Sequence, residues 1–154
     1  MSADELVVLR CSTIVFRNGE VLVVHRSARG DWVLPGGRPK PREGALACAR
    51  REVREETGLN IDPGRCAFVL DTIAPLGGQR VIEVVFLSPD RLSARPVGSE
   101  PGMAPKFVAV DRLGELNLRP PLAGHIRALH ANRNYSTAPY LGNLWRAADK
   151  VLDR

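Results

Sequence analysis

The chain has no apolar run approaching the roughly 18 residues that a membrane-spanning helix needs. Its opening stretch, "MSADELVVLR", places acids where a secretory signal would be basic. A cytoplasmic protein without membrane attachment is therefore expected. Cysteine is scarce: Cys11, Cys48 and Cys66 are odd in number, and none is paired at metal-ligand spacing. They are expected as reduced, partly buried thiols. His25, His125 and His130 form no ligand pattern either, which argues against zinc. Aromatic residues make up only 5% of the chain, and no basic stripe is interleaved with them, so general nucleic-acid binding is not supported. Internal repeats and low-complexity segments are also missing.

A chain of 154 residues suits a single domain, residues 1–154, large enough to bury its own core. Apolar content of 44% and charged content of 25% are ordinary for a globular protein. The net charge is +5, and 19 of the 22 basic residues are arginine, the better bidentate partner of phosphate. These arginines are scattered along the chain, so a phosphate-rich small molecule suits them at least as well as a nucleic acid.

Residues 6–16 and 20–26 are β-branched runs joined by Arg17-Asn18-Gly19, the pattern of a hairpin. A short strand is expected at 32–34, before the Pro35-Gly36-Gly37 break, and a helix over 43–57. Strands follow at 66–74 and 80–87 around "PLGGQ". A long irregular stretch at 88–105 precedes a strand at 106–110. Leu122, Ile126 and Leu129 then lie on helical spacing within 120–131. Leu141, Leu144, Trp145, Ala148, Val151 and Leu152 suggest an appended amphipathic helix over 138–153, docked on the domain or forming a dimer contact. Monomer and homodimer both stay open. The class is α+β, a sheet sandwiched by helices.

Within the 43–57 helix, "RREVREETG" (50–58) crowds Glu52, Glu55 and Glu56 just before a glycine. Glu52 faces Glu55 at i,i+3 and Glu56 at i,i+4, where like charges cost roughly 0.2–0.5 kcal/mol per pair. They also sit at the helix end that disfavours anions. Leu46, Ala49 and Val53 share one face and the three acids an adjoining one. Ala45 and Cys48, on the acidic side, are small enough to let another backbone segment come close. Gly58 suits a left-handed C′ position, followed by the hydrophobic contact of Leu59. Taken alone, such a string reads as a solvated face whose acids are offset by Arg50, Arg51 and Arg54.

The spacing reaches beyond the helix. Gly37-x5-Glu43-x7-Arg51-Glu52-Val53-x-Glu55-Glu56-x-Gly58-Leu59 fixes nine positions over 23 residues and matches the Nudix box at each of them. The chain thus resembles a Nudix hydrolase over roughly residues 6–131, while the segment after Asn132 is not covered. The resemblance implies a Nudix-type α/β/α sandwich with a mixed β-sheet. It also implies hydrolysis, by water attack on phosphorus, of a nucleoside diphosphate linked to another moiety. Glu52, Glu55 and Glu56 become ligands of Mg²⁺, with Mn²⁺ as a substitute and the Gly37 carbonyl as a further ligand. Hard divalent cations take oxygen ligands together with substrate phosphates, which turns repulsion among the acids into coordination. Without metal, at least one of these carboxylates should have a raised pKa. Arg51 is expected to pair with Glu43 or Glu55 and orient the acids, and Glu43 to support rather than ligate. For the general base, Glu56, Glu83 and Glu100 are the candidates. Glu83 interrupts the apolar run "VIEVVF", and Glu100 lies in the 88–105 loop.

The substrate is less constrained. Pro75, sixteen residues beyond Leu59, gives a slight lean to ADP-ribose or a related ADP-sugar, because some ADP-ribose pyrophosphatases of the family carry a proline near there. Its place in a Gly-rich turn explains it equally well. Trp32, Phe107 and Tyr140 could stack on a base or belong to core and rim, and "GNLW" (142–145) could cap the pocket. A nucleoside triphosphate or capped-RNA hydrolase is the alternative within the family. A non-catalytic nucleotide sensor is the alternative of another class, although no box acid is missing.

Overall fold

The computed structural model describes residues 6–73, 79–89, 95–98, 100–132 and 140–144. The opening hairpin forms as expected, with β1 (Val7–Arg17) and β2 (Glu20–Arg26) antiparallel. Asn18 and Gly19 have φ of 48° and 76°, the doubly left-handed conformation of a type I′ turn. There follow β3 (Asp31–Val33), β4 (Gly36–Gly37), α1 (Ala45–Thr57), β5 (Cys66–Thr72) and β6 (Arg80–Ser88). β7 (Met103–Ala109), a 3₁₀ turn (Val110–Glu115), α2 (Ala123–Ala131) and β8 (Tyr140–Gly142) complete the described elements. β7 starts three residues earlier than the sequence suggests, taking in Pro105. Among the described residues it pairs with β2 alone, so the missing N–H falls on an edge strand, where proline is tolerated.

The strand order is β3-β2-β1-β6-β5-β8, with β4 added to β1 and β7 to β2. β1 runs parallel to β6, from Val7 opposite Arg80 to Val15 opposite Ser88, and β8 runs parallel to β5; the other pairs are antiparallel. Side chains alternate across this mixed sheet, and both faces are covered. Ile14 and Phe16 of β1 pack with Phe68, Val85, Ile126 and Leu129 beneath α2, whereas Val15 meets Val53 and Leu59 from the α1 side. Each such burial contributes about 1.5–3 kcal/mol. The result is the expected α+β architecture.

Two expectations need correction. Leu46 is 38% exposed, so only Ala49 and Val53 of the expected apolar trio on α1 lie in the core. Within the segment expected as a helix over 138–153, residues 140–142 form strand β8 instead, because the edge of β5 offers backbone partners and Gly142, at φ 70°, ends the element. Leu141 and Leu144 pack against the core. Trp145, Ala148, Val151, Leu152 and Pro75 lie outside the described residues. No helix among the described residues is long and apolar enough to cross a membrane.

Candidate functional site

The site is built where the last turns of α1 meet the Leu34-Pro35-Gly36-Gly37 segment. That segment is held by antiparallel pairing of β4 with β1, Ser12 opposite Gly36 and Cys11 opposite Gly37. The glycines are required by space. A Cβ on Gly37 would lie 2.5 Å from Glu52 Oε1, and one on Gly36 would lie 2.5 Å from the Cys11 carbonyl oxygen. Backbone and carboxylate are therefore packed as closely as the small residues of α1 allow. Cys48 sits beside this contact, its Sγ 3.6 Å from the Gly37 carbonyl oxygen to which it donates. The carbonyl expected as a metal ligand accordingly faces a thiol here.

One cation answers most of the acidic crowding. Arg51 donates from Nε and Nη2 to both oxygens of Glu43, each at 2.8 Å, and from Nη1 to Glu52 and Glu55, each at 3.0 Å. Hydrogen bonding to Arg51 lowers the Glu43 carboxyl to about 2, and the same contacts raise Arg51 further above its ordinary value. Arg51 thus pairs with both acids that the sequence offered as alternatives.

Glu56 lies apart from this network. It is 5% exposed and accepts a hydrogen bond from the Gly36 N–H at 3.2 Å. Burial pushes its carboxyl up to about 8, against the lowering effect of Arg10 and of that N–H; the charges of Glu52 and Glu100 raise it further. A raised carboxylate in the acidic cluster is what the sequence led us to expect. Gly58 ends the helix at φ 72°, its N–H bonded to the Arg54 carbonyl, and the Val97 N–H caps the Thr57 carbonyl at 2.8 Å. This loop contact brings the stretch before Glu100 over the end of α1.

Glu83 and Glu100 are in different circumstances. Glu83 is 3% exposed, accepts from Ser12 Oγ at 2.7 Å and pairs with Arg10 Nε at 3.5 Å. Glu100 is exposed and close enough to act electrostatically on Glu56. Arg10 and Ser12 were not singled out from the sequence. Arg10 donates to the carbonyls of Leu34 (2.8 Å) and Gly36 (3.2 Å), so it fastens the glycine segment to β1. The available signal was a charge in β1 and another in β6, each interrupting an apolar run. Of the stacking candidates, Trp32 packs on His25, Phe107 is buried beneath the Arg17 guanidinium, and Tyr140 is 60% exposed. From "GNLW", Asn143 Oδ1 accepts from the Ile73 N–H and Leu144 packs on the core.

Among the described residues no three acidic, imidazole or thiol side chains converge as a ready-made metal cage, because Arg51 spans Glu52 and Glu55. The donor chemistry nevertheless fits a hard divalent cation. Glu52, Glu55 and Glu56 supply only oxygens, and the glycine segment leaves no side chain in the way.

The sequence is 37% identical over 82 residues to the 8-oxo-dGDP phosphatase NUDT18 of Homo sapiens, covering 51% of this chain and 22% of that protein. The chain thus spans about a fifth of the length of that curated relative. A MutT NUDIX hydrolase from Burkholderia pseudomallei is similar in structure, with a TM-score of 0.63 and 28% identity over 70% of this chain and 86% of that one. An ADP-ribose pyrophosphatase from Streptococcus suis gives a TM-score of 0.64 and 25% identity over 88% and 97% of the two chains. A NUDIX domain model matches residues 9–129, a span that contains the whole acidic motif and most of the sheet. With family model, motif spacing and fold in agreement, the chain belongs to the Nudix hydrolase family.

Proposed function

We propose that this chain hydrolyses a diphosphate bond in a nucleotide substrate, with Mg²⁺ held at the C-terminal turns of α1. The observation that carries the reading is the packing of the Gly36-Gly37 backbone against two acids of one helix end, Glu52 in contact with Gly37 and Glu56 bonded to the Gly36 N–H. Glu52, Glu55 and Glu56 would hold the cation. When bound, it supplies charge neutralisation at the diphosphate and a more acidic attacking water. Arg51 fixes the rotamers of Glu52 and Glu55, and Arg10 fixes the glycine segment. Proton removal falls more naturally to Glu100 than to Glu83, whose oxygens already serve Ser12 and Arg10.

ADP-ribose or a related ADP-sugar is the first substrate reading, supported by the position of Pro75 and by the likeness to an ADP-ribose pyrophosphatase. A nucleoside diphosphate such as 8-oxo-dGDP is the second, favoured by the 37% identity to a phosphatase of that compound. A panel of ADP-ribose, ADP-sugars, 8-oxo-dGDP, nucleoside triphosphates and capped RNA, offered with Mg²⁺ while phosphate products are followed, separates these readings. Turnover of the first group with release of AMP supports the first. Tight binding of one nucleotide with no turnover of any would overturn the hydrolase reading in favour of a sensor.

A further inference from the structure

Glu83 stands in the middle of β6 between apolar neighbours and is buried, where an ionised carboxylate is costly unless it is paired. The parallel register puts it opposite Arg10, with Ser12 two residues further along β1 on the same face of the sheet. A carboxylate can only accept, and its two oxygens take different partners. Oε2 accepts the Ser12 hydroxyl at 2.7 Å, and Oε1 lies 3.5 Å from Arg10 Nε.

Arg10 is thereby held in one orientation. Its side chain is 26% exposed and, with Glu83, lines a cavity of about 160 Å³. A long side chain at such an opening carries its charge into water unless something retains it. With Nε kept against Glu83, Nη2 and Nη1 are left to donate to the carbonyls of Leu34, at 2.8 Å, and Gly36, at 3.2 Å. Ser12 closes the ring, because its backbone is also the β1 partner of Gly36. Gly36 is therefore gripped from two sides, and its N–H is the group that donates to Glu56.

We propose that Glu83 and Ser12 are positioning residues for the Glu56 carboxylate: by holding Arg10 on the Leu34 and Gly36 carbonyls, they fix the Gly36 N–H that orients Glu56. This gives Glu83 a task other than proton removal, for which both of its oxygens are already engaged. The link to catalysis rests on the hydrolase reading, whereas the hold on Gly36 does not.

Glu83→Gln keeps the shape and can still accept from Ser12, but it no longer attracts the guanidinium. Amide hydrogen exchange on the full chain in EDTA reads the hold on Gly36 without metal or turnover. The Gly36 N–H should exchange at least tenfold faster in Glu83→Gln than in the unaltered chain, with the β2 amides unchanged. Arg10→Lys, which keeps the charge and loses the fork, should do the same, and it keeps the test valid if Glu83→Gln fails to fold. The double variant should exchange no faster than the faster single one, since both changes act through one contact. On whichever nucleotide is turned over, Glu83→Gln should lower kcat about tenfold, with KM little changed and the pH–rate profile keeping its shape. Unaltered Gly36 exchange, multiplied effects in the double variant, or loss of one limb of the pH–rate profile would overturn the proposal, the last by making Glu83 the base. Faster Gly36 exchange in the variants, with no turnover of any compound by the unaltered chain, would instead remove the hydrolase reading and support the hold on Gly36.

Discussion

Arg51 spans Glu43, Glu52 and Glu55 with one guanidinium, whereas Glu56 is buried, accepts from the Gly36 N–H and feels the charge of Arg10. Its carboxyl, near 4.5 in the unfolded chain, is pushed up to about 8 on folding. Between those values the folded, metal-free chain keeps a proton that the unfolded chain has released. Stability must therefore fall as pH rises through that window and level off above it, by a few kcal/mol at full effect. Urea unfolding in EDTA from pH 4 to 9 checks this. Glu56→Gln should flatten the decline and be the more stable protein above pH 8, while its kcat falls at least a hundredfold. A parallel loss in wild type and variant would remove Glu56 as the cause. For the proton step, Glu100→Gln should lower kcat by roughly 10²–10⁴-fold with KM little changed, and a normal pH–rate profile in that variant would exclude it. Elsewhere Thr13 is fully buried and its hydroxyl has no hydrogen-bond partner among the described residues. Thr13→Val should raise stability by about 1 kcal/mol in denaturant titration.

At the level of the elements, α1 and the two-residue strand β4 form one device, and each half makes sense only against the other. Gly37→Ala puts a methyl group into the Glu52 carboxylate, so metal-dependent activity should fall at least tenfold while the circular dichroism spectrum stays native. If the variant kept full activity, the close approach would be incidental. Much of this was readable in advance. Asn18-Gly19 announces a hairpin because both residues tolerate left-handed φ, and Gly58-Leu59 announces the end of α1 for the same reason. The acids of α1 stand out in the sequence because they violate local electrostatic preference, as residues at functional or strained sites do. What stayed hidden depends on pairing across long sequence separations. Arg10 and Glu83 become partners only through the parallel register of β1 and β6, and nothing local shows that Gly36-Gly37 will join the sheet. β8 was masked by an apolar pattern compatible with a helix, and its strand state is decided by the open edge of β5. Leu46 misled because helical periodicity places it beside Ala49 and Val53, while the sheet beneath reaches only the latter two.

Across the whole molecule, a sheet covered on both faces gives the site its rigidity. β1 carries residues of the α2-side core, of the α1-side core, and the Arg10 anchor of the glycine segment. Phe16→Ala, deep in the core beneath α2, should cost about 3–5 kcal/mol in denaturant titration. Metal affinity of the folded fraction should survive it, because the α1 side is untouched. The claim on which the rest depends is that the crowded acids of α1 exist to hold a divalent cation. Titration calorimetry of Mg²⁺ and Mn²⁺ into the full chain at pH 8, with a non-hydrolysable nucleotide present, addresses it most directly. Saturable uptake that disappears in Glu56→Gln is the expected result. No uptake, or uptake indifferent to that substitution, would contradict it.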